Sequence, residues 1–359
     1  MSLEDRIKKL VRPEIRALSA YHVPPAEDWV KLDAMENPWP WPDELRAAWL
    51  EQLQSVELNR YPDPQAAQLQ QALRVAMCVP DSAKTILGNG SDELIQMIIQ
   101  TVAGPGRFVM APEPTFVMYR QVAVVSGLQF AGVPLNDDYS IDGERMLAVL
   151  AKQQPAVTFL AYPNNPTGNL FDADLIHALL AAAEGLIVVD EAYAPFTEAS
   201  FMASLPDYDN LLVLRTVSKM GLAGLRLGML AGAAPWLEQI DKTRLPYNIG
   251  VLNQVTGEFA LQHREVFEAQ AQDIRKERAV LDAGLREFTQ LTVYPSEANF
   301  ILFRAPAGRA DALFNGLKAA GILIKNLNGS SAALEDCLRV TVGQPGQNQA
   351  FLGALGSLL

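Results

Sequence analysis

The stretch GLIVVDEAYAPF, residues 185–196, sets four consecutive branched apolar residues directly before two acids, Asp190 and Glu191. A short continuous apolar run of this kind predicts a buried strand. Two acids at the end of such a strand are typical of a magnesium-holding carboxylate pair in a nucleotide hydrolase. A single buried aspartate that serves an organic cofactor gives the same pattern, so both interpretations stay open at this point.

Comparable apolar runs recur on both sides of this segment, and helical patterns such as SDELIQMIIQTVAG and DADLIHALLAAAEG separate most of them. We interpret the following runs as strands: RFVMA (107–111), LQFAGVPL (128–135), AVTFLAY (156–162), NLLVLRTV (210–217) and RLGMLAG (226–232). Near-continuous apolar strands that alternate with helices predict a mainly parallel sheet covered on both faces. The sequence therefore predicts a three-layer αβα domain.

A long helical pattern over residues 254–288 follows this region and leads into a smaller α+β module. Its strand candidates are NFILFRA (299–305), GILIKNL (321–327) and CLRVTVG (337–343). The proline-rich opening, with VPPAEDW and ENPWPWP, predicts an arm with little regular structure. We expect three parts: an arm with part of a small domain (1–45), a large domain (46–245) and a small carboxyl-terminal domain (246–359).

Composition limits the classes of partner. The chain has 359 residues, of which 49% are hydrophobic, enough for a sizeable core. No apolar run approaches the roughly 20 residues that cross a bilayer, and MSLEDRIKKLVRPE lacks the apolar segment of a secretory signal. The net charge of −12 predicts a surface that repels nucleic acid and anionic lipid. We expect a cytoplasmic protein that captures any anionic ligand in a local pocket.

The cysteines and histidines do not form a metal-binding pattern. Cys78 and Cys337 lie far apart without a CxxC pair, and His22, His177 and His263 lack HExxH spacing. We therefore expect no bound metal and two reduced cysteines.

The nucleotide-hydrolase interpretation of the acid pair needs a second motif, G-x-x-x-x-G-K-[ST], whose backbone wraps the phosphates. The sequence contains no such motif. The interpretation as a single cofactor aspartate is therefore the one that remains.

Three further segments carry groups suited to a cofactor site. TVSKMGLAGLRLG (216–228) contains Lys219, a candidate nucleophile, although a surface lysine in a loop would look the same. YPNNPTG (162–168) offers asparagine donors but also resembles an ordinary tight turn. LGNGSDELIQ (87–96) sets glycines before a helix start, which attracts anions. All lie at strand ends or helix starts, where the ligands of parallel sheets bind, so we expect them to converge.

The motifs PNNPTG, VVDEAY, TVSK and AGLRLG occur in an order and spacing that resembles the fold-type I, pyridoxal-phosphate-dependent aminotransferases, and within them the histidinol-phosphate aminotransferase group. The resemblance runs from MENPW near residue 35 to CLRVTVG near residue 343. It implies an aspartate-aminotransferase-like fold, pyridoxal 5′-phosphate as cofactor, and amino transfer from histidinol phosphate to 2-oxoglutarate. An aromatic amino acid aminotransferase or a phosphothreonine-type decarboxylase would use the same fold and remain alternatives.

The resemblance also implies roles around the cofactor ring. Lys219 would bond the cofactor covalently and then move the proton between substrate and cofactor. Asp190 would pair with the pyridine nitrogen, while Asn165 and Tyr193 would hydrogen-bond the phenolic oxygen. Phe116 would stack on the ring. Glu191, which points the other way if the strand continues, is expected to be structural.

The remaining implied roles concern phosphate, substrate and partner. The phosphate would be held by Gly90, Ser91, the backbone of Asp92, Ser218 and Arg226. Tyr61 would reach the cofactor phosphate of a partner subunit, which implies a homodimer. Tyr21, Asn165 and Arg339 would bind substrate, with Arg339 gripping the carboxylate of glutamate, the amino donor in the biosynthetic direction.

Two departures from the family pattern stand out. The loop from Lys219 to Arg226 is about one residue shorter than usual, so it must be shortened or rewound. WPWP (39–42) replaces the usual run of small residues after ENP.

Overall fold

The computed structural model describes residues 1–20 and 29–359. Its strands are β1 Val30–Lys31, β2 Lys84–Asn89, β3 Phe108–Glu113, β4 Gln129–Pro134, β5 Val157–Ala161, β6 Leu186–Asp190, β7 Leu211–Thr216, β8 Leu227–Gly232, β9 Thr292–Val293, β10 Phe300–Arg304, β11 Ile322–Leu323, β12 Lys325–Asn326 and β13 Cys337–Thr341. Its α-helices are α1 Leu3–Leu10, α2 Pro13–Arg16, α3 Asp43–Leu53, α4 Ala67–Ala76, α5 Gly90–Val102, α6 Met118–Val125, α7 Gly143–Gln153, α8 Ala173–Ala182, α9 Ala234–Ile240, α10 Val251–Gln262, α11 Arg264–Arg286, α12 Ala310–Ala319 and α13 Pro345–Leu358.

The central sheet has seven strands in the order β2-β8-β7-β6-β5-β3-β4. Strand β8 runs antiparallel to both of its neighbours, and the other neighbouring strands are parallel. The carboxyl ends of six strands therefore share one edge with the beginning of β8. All four segments that we expected to converge lie at this edge of the sheet.

Residues of β6 alternate between two apolar cores. Ile187 and Val189 pack into a core with helices α4, α7, α8 and α10, whereas Leu186 and Val188 face the core formed with α5, α6 and α9. Every residue of β5 and β6 is buried, which explains their continuous apolar sequence. The predicted three-layer αβα domain with a mainly parallel sheet is confirmed.

A second unit contains the antiparallel sheet β12-β13-β10-β9. Phe300, Phe303 and Val340 of this sheet pack with helices α11, α12 and α13 in a separate core. Strand β1 pairs in parallel with β11 and so joins the amino-terminal segment to this unit. The smaller α+β unit is confirmed, whereas the domain boundaries at 45/46 and 245/246 stay predictions.

The structure differs from the sequence-based expectations in three places. Strand β2, which we did not predict, pairs antiparallel with β8. The long helical pattern over 254–288 is two helices that break at His263. Part of the opening arm is helical, because Ser2 and Asp5 form a capping box that starts α1. Within the described residues, no helix is long and apolar enough to cross a membrane.

Candidate active site

A cavity of about 240 Å³ opens at the sheet edge where β6 and β7 end and β8 begins. Its walls include nine of the residues singled out from the sequence: Ser91, Asp92, Phe116, Asn165, Asp190, Tyr193, Ser218, Lys219 and Arg226. The convergence expected of strand ends and helix starts is therefore present in this chain. These residues span about 135 positions of sequence and meet only because the sheet aligns their strands.

Asp190, the last residue of β6, is only 4% exposed. The Tyr119 hydroxyl donates to its Oδ2 at 2.6 Å, and the Ala192 amide donates to its Oδ1 at 3.1 Å. Burial raises the pKa of Asp190 to about 6, against the opposing effect of these two hydrogen bonds. Both donors are neutral, so the site holds an acid that a cationic group of a ligand would stabilise.

Glu191 points away from the cavity, as expected for an adjacent residue of an extended chain. The Phe201 amide and the Ser200 hydroxyl donate to its carboxylate, and Arg215 forms a salt bridge with it at 2.7 Å. The side chain of Glu191 is fully buried with these partners. These contacts lie on the far side of the sheet and fit the predicted structural role, because removing a partner would leave an uncompensated buried charge.

Lys219 lies half-buried in a 3₁₀ turn, Ser218–Met220, that directly follows β7. Its Nζ lies 5.7 Å from the centre of the Tyr193 ring. Burial, assisted by the positive charge of Arg339, lowers the pKa of Lys219 to about 8. A lysine with this pKa has a substantial neutral fraction near neutral pH, which a nucleophile or a base requires.

The loop from Lys219 to Arg226, which we expected to be shortened or rewound, has a compact conformation. It consists of two 3₁₀ turns that meet at Gly221, whose φ is +114°. Arg226 itself takes a left-handed conformation with φ of 49°, which turns the chain into β8. Asn37 holds this loop from the arm, because its Nδ2 donates to the Met220 carbonyl at 3.0 Å.

The start of α5 is a candidate anion site beside this loop. Gly90 has φ of +81°, and a side chain there would approach Arg226 Nη2 to 2.7 Å. Arg226 also pairs with Asp92 at 3.2 Å, with both side chains nearly half exposed. The amides at the start of α5, the Arg226 guanidinium and the buried Ser218 hydroxyl thus belong to the same cavity wall. This combination of groups is suited to binding a phosphate.

Gly228 allows β8 to approach the start of α5 closely. We did not predict this role from the sequence. A Cβ on Gly228 would lie 2.7 Å from the carbonyl carbon of Gly90 and 2.8 Å from the Ser91 nitrogen, both backbone atoms. Strand β8 therefore passes the start of α5 without room for a side chain. The final glycine of AGLRLG was the available signal.

Arg339 and Asn165 join the second unit to the cavity. Arg339 is 6% exposed and donates from Nη1 to Asn165 Oδ1 and from Nη2 to the Asp33 carbonyl. Its guanidinium lies over the Phe300 ring, 5.0 Å from the ring centre. Because the Asn165 oxygen accepts from Arg339, the amide NH₂ of Asn165 is the group that can donate to a ligand.

The aromatic residues of the site take different positions. Phe116 is partly buried on the cavity wall, where its ring is available for contact with a flat ligand. Tyr193 is buried and packs edge-on against Phe300, with ring centres 5.2 Å apart. Tyr119, which the sequence did not single out, lies behind Phe116 and contacts Asp190.

Of the other predicted residues, Gly90 and Arg339 lie beside the lining residues Arg226 and Asn165 but do not line the cavity themselves. Tyr61 is 81% exposed and stacks on Tyr247 at 4.4 Å, so it does not reach the cavity of its own chain. Tyr21 lies outside the described residues. Within residues 1–20 and 29–359, no cluster of three or more histidines, cysteines or acids has the arrangement of a metal site.

Similarity to known proteins agrees with this geometry. A family model described as aminotransferase class I and II matches residues 27–355. The chain is 56% identical over 352 residues to histidinol-phosphate aminotransferase 2 of Nitrosococcus oceani, with 98% of each chain covered. It is 52% identical to the histidinol-phosphate aminotransferase of Chromobacterium violaceum, with 97% of this chain and 98% of the relative covered.

Among solved structures, the histidinol-phosphate aminotransferase from Sinorhizobium meliloti in complex with pyridoxal 5′-phosphate matches with a TM-score of 0.86 at 23% identity, and 97% of each chain is covered. This likeness shows a shared fold. The family model spans most of the chain and both relatives exceed 50% identity. The resemblance found in the sequence is thereby confirmed, and the chain belongs to the class I and II aminotransferase family.

Proposed function

We propose that this chain is a pyridoxal-phosphate-dependent aminotransferase that moves the amino group of histidinol phosphate to 2-oxoglutarate. One observation carries the proposal: a lysine with a lowered pKa, a buried acid and a phosphate-type anion site share one cavity. The two relatives described above are histidinol-phosphate aminotransferases over nearly their whole length, which supports this substrate.

The donor set of the cavity fits the cofactor. Arg226, Ser218 and the start of α5 supply cationic and hydrogen-bonding groups at one end, suited to the phosphate. Asp190 supplies a buried carboxylate, suited to a protonated ring nitrogen. Lys219 and Phe116 line the same cavity. The acid requires a cationic partner in the ligand, because its neutral donors leave its pKa raised to about 6.

Pyridoxal 5′-phosphate supplies an electrophilic carbonyl and an electron-withdrawing ring when bound. Lys219 would hold the cofactor through Nζ and, when its amine is free, would hold or release a proton at the same atom. Its lowered pKa of about 8 makes both protonation states accessible near neutral pH. Asp190, when ionised, would keep the ring nitrogen protonated, and the amide NH₂ of Asn165, together with Tyr193, would hydrogen-bond the phenolic oxygen.

Arg339 is the residue that we assign to the negative end of the substrate, because a guanidinium binds a carboxylate or phosphate in a bidentate manner. Lys325 lies directly opposite Arg339 in the β12–β13 ladder, so both side chains project from the same face of that sheet. Lys325 was not singled out from the sequence, because it belongs to none of the recognised motifs. This second positive charge beside Arg339 favours a substrate that carries a phosphate over an uncharged aromatic side chain.

We also propose that the protein acts as a homodimer. Several large apolar side chains are exposed around the stacked pair Tyr61 and Tyr247, namely Leu58, Leu245 and Leu252. An exposed apolar patch of this kind is typical of an interface between subunits. A partner seated there would bring Tyr61 to the cofactor phosphate of the other subunit, the role that its family position implies.

The cytoplasmic location stays a prediction from the sequence. Cys78 and Cys337 form no disulfide, which is compatible with a reducing compartment. The acidic surface supports small molecules, not nucleic acid or membrane, as ligands.

The substrate is tested with the purified protein loaded with the cofactor. Histidinol phosphate, phenylalanine and phosphothreonine are each supplied with 2-oxoglutarate, and glutamate and carbon dioxide are measured. We expect glutamate formation with histidinol phosphate as the preferred donor. Preferred turnover of phenylalanine, or release of carbon dioxide from phosphothreonine, would contradict the proposal. Lys219→Ala tests the lysine, because the visible absorbance of the bound cofactor should change in that variant.

A further inference from the structure

Tyr119 lies at the amino-terminal end of α6, three residues after Phe116, and its side chain has no measurable exposure to solvent. Its ring stacks on Phe159 of β5, with ring centres 4.6 Å apart and planes inclined by 12°. It also meets the Phe116 ring edge-on at 5.6 Å. The ring is therefore fixed between a core strand and the cavity wall.

The hydroxyl of Tyr119 donates to Asp190 Oδ2 at 2.6 Å. This carboxylate has its other oxygen held by the Ala192 amide, so each oxygen receives one donor from a different element. Burial and the neighbouring Asp190 raise the pKa of Tyr119 well above 10. The phenol therefore keeps its proton and remains a donor throughout the range in which enzymes work.

We propose that Tyr119 is a positioning residue for the reaction, whose hydroxyl keeps Asp190 ionised and oriented toward the cofactor ring. Phe116, which contacts Tyr119 from the cavity wall, connects this role to the surface that faces the ring. The inference rests on the proposed function, because it concerns the acid that pairs with the cofactor. It adds a residue that acts through Asp190 and does not itself touch the reacting atoms.

The direction of the effect follows from the charges around Asp190. Burial raises the pKa of Asp190, as do Asp92 from α5 and Glu191, the residue after the end of β6, whereas the hydrogen bonds from Tyr119 and Ala192 lower it. Lys219 and Arg226 line the same cavity. Removing the Tyr119 hydroxyl deletes one of the two stabilising hydrogen bonds and leaves the opposing groups unchanged. Protonation of Asp190 should then begin at a higher pH.

The test compares Tyr119→Phe with Tyr139→Phe in the cofactor-loaded enzyme. Both substitutions remove a hydroxyl from a buried tyrosine, but the Tyr139 hydroxyl donates to the Ala333 carbonyl, far from Asp190 in sequence and outside the cavity lining. Phenylalanine keeps the ring of Tyr119 and its stacking on Phe159, and near-ultraviolet circular dichroism reports whether the packing is retained. The readout is kcat/KM for histidinol phosphate as a function of pH.

We expect Tyr119→Phe to move the acid limb of this profile upward by about one pH unit, the size expected for loss of one hydrogen bond to a charged group. Tyr139→Phe should leave the limb in place even if it lowers the melting temperature. A second comparison uses Asp190→Asn, in which Tyr119→Phe should cause less than a twofold further loss of kcat. Full loss of kcat in both backgrounds would indicate a merely structural role.

The outcomes separate the two proposals. A wild-type protein that neither binds the cofactor nor transfers amino groups overturns the proposed function, and this inference with it. An active wild-type enzyme whose acid limb is the same in Tyr119→Phe and Tyr139→Phe overturns the inference alone.

Discussion

Gly228→Ala is the sharpest test of the anion site, because the added methyl group has no flexible neighbour to displace. The new Cβ would lie 2.7 to 2.8 Å from three backbone atoms of Gly90 and Ser91, whereas ordinary contacts begin at 3.4 Å. Strand β8 is held on both sides by β2 and β7. The start of α5 must therefore move away by roughly 0.6 Å, the difference between the two distances.

A displacement of this size takes an amide hydrogen bond from about 2.9 Å to about 3.5 Å, beyond its useful range. A hydrogen bond to a charged group contributes about 1.5–3 kcal/mol, so the loss of one such bond costs about 2 kcal/mol. The dissociation constant of the cofactor should then rise about 30-fold, since each 1.4 kcal/mol is a factor of ten.

The assay is titration of the apoprotein with pyridoxal 5′-phosphate, followed by its visible absorbance. Gly224→Ala is the matched control, because a Cβ on Gly224 of the same loop meets nothing within 4 Å. The control should bind the cofactor like the wild type. If Gly228→Ala also binds within threefold of the wild type, the assignment of the start of α5 to the phosphate is refuted.

Three further predictions concern charge and assembly. Because the folded-state pKa of Asp190 is raised to about 6, ionisation of this residue destabilises the apoprotein progressively as the pH rises from the unfolded value of about 4 to about 6, and fully above that. Asp190→Asn should therefore increase the unfolding free energy of the apoprotein by roughly 2 kcal/mol at pH 8 and change it little at pH 4, measured by urea denaturation; equal effects at both values would contradict the burial. Mixing inactive Lys219→Ala with Tyr61→Ala should restore activity if Tyr61 acts on the partner's site, and should restore nothing if it acts within its own chain. Lys325→Met should raise KM for histidinol phosphate about threefold through loss of roughly 0.7 kcal/mol, whereas the surface control Lys152→Met should not.

Much of the central sheet was predictable because its strands are buried on both faces and their sequences are continuously apolar. LIVVD and VTFLA of β6 and β5 show this directly. Strand β2, KTILGN, was missed because it begins with an exposed lysine and ends in turn-forming residues. The direction of β8 was not predictable, since an apolar run has the same composition whichever way the strand runs.

The residues of the site also differ in how far the sequence could predict them. Lys219 and Asn165 could be identified because each belongs to a short motif, and the motif itself indicates the role of the residue. Tyr119 and Asp190 are separated by 71 positions, and their hydrogen bond exists only after β3 and β6 enter one sheet. Gly228 must be a glycine because the start of α5 lies against it. The apolar pattern of β8 alone does not indicate this constraint.

The pairing of β1 with β11 has a consequence for the order in which the protein matures on the ribosome. Val30 is made early, yet its strand partner, Ile322, lies about 290 residues further along the chain. Thr341 completes this arrangement by donating its amide to the Leu32 carbonyl. Met35 and Glu36, which line the cavity, depend on that late pairing for their position. The central sheet can form during synthesis, but catalytic competence should arise only after translation has passed β13.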